Sequence, residues 1–100
     1  MDVNLLTPRD LVAQIAVRAK EKRLSLNLTQ LTLSERSGVS LGVIKKFERT
    51  GKISIESLLK LALVLNSLEE FAALFKPKPL ETYATLNELL KQKPRKRGSK

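Results

Sequence analysis

Cysteine and histidine are both missing from this 100-residue chain. Their absence excludes disulfides, thiolate metal sites and catalysis by thiol or imidazole, and it suits the cytoplasm. No glycine-rich phosphate loop and no carboxylate pair in an evident pocket stands in for them. The Ser, Lys and Glu residues are accounted for by helix caps and surface. No enzyme, no metal and no cofactor are therefore expected. Aromatics are scarce, three Phe and one Tyr, although 42% of the residues are apolar. The core must come mostly from Leu, Ile, Val and Ala, a composition that favours packed helices. No run approaches the roughly 18 unbroken apolar residues of a membrane span. The opening MDVNLLTPRD carries acids and no basic start ahead of an apolar run, so it is not expected to act as a signal peptide. A chain of this length makes one small domain.

Acidic residues are missing from the last ten positions. Residues 1–90 hold all ten acids against thirteen Lys and Arg, and residues 91–100 add six bases. Most of the net charge of +9 thus sits on the tail. A near-neutral body with a basic tail points towards a polyanion such as nucleic acid; a merely solvated tail is the alternative.

Thr7 as N-cap, Pro8 at the first helical position and Asp10 in the first turn predict a helix from there to about Leu26. Leu11, Ile15, Ala19 and Leu26 fall on one side of it at helical spacing. Thr29 can cap a second, short helix ending at Ser37. Gly38 supplies a left-handed turn residue, Val39 an apolar wedge and Ser40 the next cap. The third helix, Leu41 to about Arg49, has Val43, Ile44 and Phe47 as its inner face and Lys45, Lys46 and Arg49 outside. Two short helices joined by a tight glycine turn, the second basic on its outer side, form the helix-turn-helix pattern, whose second helix enters a DNA major groove.

Further on, Gly51 permits a turn and Ser54 caps a helix over 55–65 with Ile55, Leu58, Leu59, Ala62 and Leu65 as its apolar face. Asn66 ends it. Ser67 and Glu70 stand in capping-box relation for a fifth helix, 68–75. Pro77 and Pro79 mark a linker, a short sixth helix is expected over 86–92, and Pro94 ends it. The predicted organisation is a helix-turn-helix domain over 1–76, a linker and short helix over 77–92, and a disordered basic tail over 93–100.

Thr29-Gln30, Gly38-Val39-Ser40, Ile44 and Glu48 sit at the spacings of the phage-repressor/Cro-like helix-turn-helix family, also called XRE, and the chain resembles that family from about Pro8 to Phe75. The stretch KEKRLSLNLTQ is similar to the end of the first helix in phage repressors, with Asn27 where they usually have Gly; Asn is the next-best left-handed residue. The resemblance implies an all-α, five-helix, lambda-repressor-like fold. It also implies an ion pair between Arg23 and Glu48, tying the first helix to the end of the third; two unrelated surface charges are the alternative.

Carried over by position, the resemblance places Thr29 and Gln30 on the DNA backbone at the N-terminus of the second helix. Ser40, Leu41, Gly42, Lys45 and Lys46 would face the groove, and Arg49, Thr50 and Lys52 would clamp flanking phosphates. Leu41 and Gly42 depart from the commonest pattern, in which polar base-readers stand there. Direct readout then falls on Lys45 and Lys46, which favour guanine O6 and N7, unless both touch phosphate only and DNA shape carries specificity. The family's members implied here are two-fold dimers on inverted repeats. Leu68, Phe71, Leu74 and Phe75, or segment 80–92, are the candidate dimer surfaces, with intrachain core the alternative for Phe71. The implied function is a sequence-specific double-stranded-DNA-binding repressor, cytoplasmic and nucleoid-associated. LSERSGVS, FERTGKIS and the basic tail also look similar to HipB-type antitoxins encoded beside HipA-like Ser/Thr kinase toxins. That likeness would add a kinase partner, with 76–100 as the toxin-specific segment.

Overall fold

The computed structural model describes residues 6–77. Five helices follow one another: α1 (Pro8–Ser25), α2 (Gln30–Ser37), α3 (Leu41–Thr50), α4 (Ile55–Val64) and α5 (Leu68–Ala72). There is no strand among the described residues, and the architecture is the all-α, lambda-repressor-like one. No described helix is long and apolar enough to cross a membrane. The expected linker beyond Pro77, the sixth helix over 86–92 and the tail over 93–100 lie outside the described residues.

Local chemistry explains where the first four helices start. Orphan N–H groups at a helix N-terminus need acceptors, and small hydroxyl side chains reach them. Thr7 Oγ1 accepts from the Asp10 amide at 3.0 Å, while Asp10 Oδ2 accepts from the Thr7 amide at 3.4 Å. Thr29, Ser40 and Ser54 cap α2, α3 and α4 in the same way, accepting from the amides of Thr32, Val43 and Ser57.

The helices stop by two devices. Asn27 and Asn66 both adopt φ 58°, following α1 and α4. In each case the amide beyond the Asn reaches back to close a six-residue turn: Leu28 to the Arg23 carbonyl at 3.1 Å, Ser67 to that of Ala62 at 2.8 Å. Gly38 and Gly51, at φ 79° and 84°, end α2 and α3 with single amide bonds to Ser34 and Phe47. Gly51 is constrained twice over, because a Cβ there would strike the Val12 side chain and lie 3.1 Å from the Val12 carbonyl oxygen.

The core joins Ala16 of α1, Leu28, Leu33 of α2, Val39, Ile44 and Phe47 of α3, and Leu61 and Leu65 at the end of α4. Helix α3 packs on α1 and α2, α2 also on α4, and α4 on α5. The expected inner faces need correcting in three places. On α4 the buried face is Leu58, Leu61, Ala62 and Leu65, an i, i+3, i+4, i+7 set, and Ile55 is 70% exposed. The helix is apolar nearly all round, so periodicity alone does not say which stripe turns inward. On α1, Ala16 is core, whereas Leu11 and Leu26 lie at the exposed ends. On α3, Val43 is 38% exposed and only Ile44 and Phe47 are fully inside.

The fifth helix also departs from expectation. It ends at Ala72 and Ser67 makes no side-chain cap. Ser67 has already given its amide to the end of α4, and its hydroxyl donates to the Leu65 carbonyl at 3.2 Å. With φ −126° and ψ 11° it lacks the extended backbone that a cap requires. The capping box with Glu70 therefore does not form. The chain continues in four-residue turns, Leu74 to the Phe71 carbonyl and Lys76 to that of Ala73, with Phe75 at φ 64°.

Candidate nucleic-acid interface

The rotational setting of α3 decides what this surface presents. Ile44 is 0% and Phe47 1% exposed, and both join the core with Val39 beneath the turn. At 3.6 residues per turn, that fixes Gly42, Lys45, Lys46 and Arg49 on the opposite side. All four are exposed. Among the described residues the salt bridges are Arg23–Glu48 and Lys60–Glu56, so no described carboxylate neutralises Lys45, Lys46, Arg49 or Lys52. A solvated cationic strip of this kind attracts phosphate.

Behind it, α3 is anchored to α1 and α2 by one carboxylate. Glu48 accepts from Arg23 Nε at 2.8 Å and Nη2 at 3.0 Å, and from Gln30 Nε2 at 2.9 Å. The remaining prong of the guanidinium, Nη1, donates to the Leu28 carbonyl at 2.9 Å. Both charged side chains are 7% exposed. Burial is tolerable because every prong of the fork that faces the interior has a partner. The expectation of an Arg23–Glu48 pair foresaw two members of this cluster. Gln30 and the Leu28 carbonyl were not foreseen as part of it, since no sequence signal links Gln30 to Glu48 or the Leu28 carbonyl to the Arg23 guanidinium.

The other site residues divide by what their polar atoms already do. Thr29 is exposed and its hydroxyl caps α2, also donating to Thr32 Oγ1 at 3.0 Å. Gln30, half-buried, keeps one N–H and its carbonyl oxygen beyond the bond to Glu48. Ser40 is exposed at the leading end of α3, where it accepts from the Val43 amide at 3.2 Å and retains its own proton. Leu41 is half-buried. Thr50 gives its hydroxyl proton to the Lys46 carbonyl at 2.7 Å and accepts from the Lys52 amide at 3.1 Å, so it shapes the turn that carries Lys52.

Gly42 is the one helical glycine among the described residues and stands second in α3. Its neighbourhood does not require it: a Cβ would find nothing within 4 Å. Phe71, a candidate dimer residue, is half-buried and lines a groove of about 410 Å³ with Ile15, Ala19, Leu58 and Leu61. Leu68, Leu74 and Phe75 are exposed.

Neither the curated proteins nor the solved structures yielded a match to this chain. A model of the helix-turn-helix family matches residues 20–71, from the end of α1 through α5, and so covers more than half of the chain. The chain belongs to the XRE-type helix-turn-helix family of DNA-binding regulators.

Proposed function

We propose that this protein is a sequence-specific transcriptional repressor that binds double-stranded DNA as a homodimer on an inverted repeat, in the cytoplasm at the nucleoid. The observation that carries the reading is the unneutralised outer face of α3, with Lys45, Lys46 and Arg49 outward and Ile44 and Phe47 inward. Helix α3 enters the major groove and its lysines meet base edges or the adjoining phosphates. The leading end of α2, with Thr29 and the spare groups of Gln30, takes a backbone phosphate. Arg49 and Lys52 clamp the flanking phosphates, with Thr50 holding the turn between them. Exposed Leu68, Leu74 and Phe75 offer the second copy an apolar surface.

A gel-shift assay on a duplex selected from a random pool tests this reading. Lys45→Glu with Lys46→Glu is expected to abolish binding while helicity and melting temperature stay at wild-type values. A doubly reversed protein that shifts the duplex normally would sink it.

A second reading, supported by the likeness of LSERSGVS, FERTGKIS and the basic tail to HipB-type antitoxins, is an antitoxin that represses its own operon and also neutralises a HipA-like kinase toxin through residues 76–100. Co-purification of a kinase with the full chain, and not with residues 1–76, is the expected result. A full chain that retains no kinase would remove this reading and leave the first intact.

A further inference from the structure

Helix α1 packs on α3 and α5 packs on α4, and the side of the domain where these pairs face each other is left open. The groove of about 410 Å³ lies there. Buried Leu61 and Leu65 and half-buried Ile15, Ala19, Leu58 and Phe71 line it, so it suits apolar side chains. Arg18 and Lys22 of α1 border it, and no described carboxylate pairs with either. No described residue of α2 or α3 takes part.

The chain itself supplies an occupant. Helix α5 ends one residue after Phe71, and the sequence then runs on past Pro77 to a second apolar stretch. There Tyr83, Leu86 and Leu90 recur at i, i+3 and i+7, the spacing of one helix face, with Leu80 ahead of them. A helix so short is marginal in water and needs a surface for that face. Charge selects this stretch over the tail. Residues 79–90 hold Glu81 and Glu88 and no base, whereas residues 91–100 hold six bases and no acid. Only the first suits a groove bordered by Arg18 and Lys22.

Tether length selects the chain's own segment over that of another copy. Eight residues, 72–79, separate Phe71 from Leu80. At ~3.3–3.6 Å per residue they reach roughly 30 Å, enough to turn back on the groove that Phe71 lines. A short tether also holds the segment at an effective concentration in the millimolar range.

We propose that residues 80–90 fold back onto their own domain and fill this groove, as a cover that joins α1 to α4 and α5. The inference does not depend on the DNA-binding reading, because the groove lies apart from α3.

Tyr83 is the one tyrosine and the chain has no tryptophan, so tyrosine fluorescence reports on this segment in the full, unaltered protein. Its quenching by acrylamide is expected to be at least threefold weaker than in a peptide of residues 78–92, and to stay so when the protein is diluted to the monomer. Ala19→Lys places a charge in the groove, and Leu86→Ser with Leu90→Ser removes two of the anchors. Both variants should bring quenching up to the peptide's value, and the second should lower the melting temperature. Three outcomes overturn the inference: peptide-like quenching in the wild type, shielding lost on dilution, or an Ala19→Lys protein that folds with Tyr83 still shielded. If Ala19→Lys loses its helicity, nuclear Overhauser contacts in the wild type decide instead. Contacts from Tyr83 or Leu86 to the methyls of Ile15 and Leu58 uphold the cover, and their absence overturns it.

Discussion

Arg23 and Glu48 meet as a two-pronged pair 25 residues apart in the chain, with Nε to Oε2 at 2.8 Å and Nη2 to Oε1 at 3.0 Å. The pair fixes α3 to the end of α1, and Gln30 adds α2 to the same carboxylate at 2.9 Å. The face that carries Lys45 and Lys46 thus takes its angle from a polar cluster as well as from Ile44 and Phe47. A cluster so placed positions the basic helix without touching a ligand.

Loss of one partner leaves the other charged and buried. Arg23→Leu and Glu48→Leu are each expected to destabilise the fold by about 3–5 kcal/mol. The double variant should cost less than the sum of the two, because it leaves no unpaired charge behind. Urea denaturation of the four proteins checks this. Strictly additive losses would mean that the two groups act independently.

Gly38 and Gly51 share a left-handed backbone and differ in surroundings, so one substitution separates the two effects. Asn tolerates this backbone, as Asn27 and Asn66 show. Gly38→Asn is therefore expected to be mild, within about 1 kcal/mol. Gly51→Asn adds a collision with Val12 and should cost about 1–3 kcal/mol more. Val12→Ala in the Gly51→Asn background should restore part of the stability. Thermal unfolding supplies the comparison, and equal effects at the two glycines would refute the close approach.

Much of this fold was legible because its punctuation is chemical. Thr7, Thr29, Ser40 and Ser54 start helices by hydroxyl caps, and Asn27, Gly38, Gly51 and Asn66 end them by left-handed turns. Such signals are local and survive any packing. The inner faces were less legible. Helix α4 offers apolar residues on every side, so its neighbours α2 and α5, not its own pattern, select Leu61 over Ile55. Ser67 misleads for a related reason: the residue that would cap α5 is already used to close α4. Of the site, the basic strip on α3 follows from helical spacing alone. The Gln30–Glu48 bond depends on the crossing of α2 and α3, which no spacing encodes. The freedom of Gly42 likewise appears only once its surroundings are known.

The cationic strip yields a prediction about salt. Removing a side chain that neutralises one phosphate should reduce the slope of log affinity against log salt by roughly 0.9. Arg49→Ala and Lys52→Ala are expected to do that while leaving the preferred sequence unchanged. If Lys45 or Lys46 reads a guanine, its Ala variant should instead relax the preference at one base pair, by about 1–3 kcal/mol of discrimination. Titrations at several salt concentrations on matched and single-mismatch duplexes distinguish the two. Lys45 and Lys46 variants that change only the slope would assign both residues to phosphate and leave specificity to DNA shape.

The tail is tested by the same slope. Residues 93–100 hold five Lys and Arg and no acid. If they lie along phosphates, their deletion frees several phosphates at once and should lower the slope by several units, roughly 0.9 for each phosphate. Affinity should then fall most at low salt, where counterion release contributes most, and converge on the wild-type value as salt rises. Stability is expected to stay at the wild-type value. A truncated chain with the wild-type slope would remove the tail from the DNA contact and leave it solvation or a protein partner. A truncated chain that melts early would point instead to a packing role against the helical body.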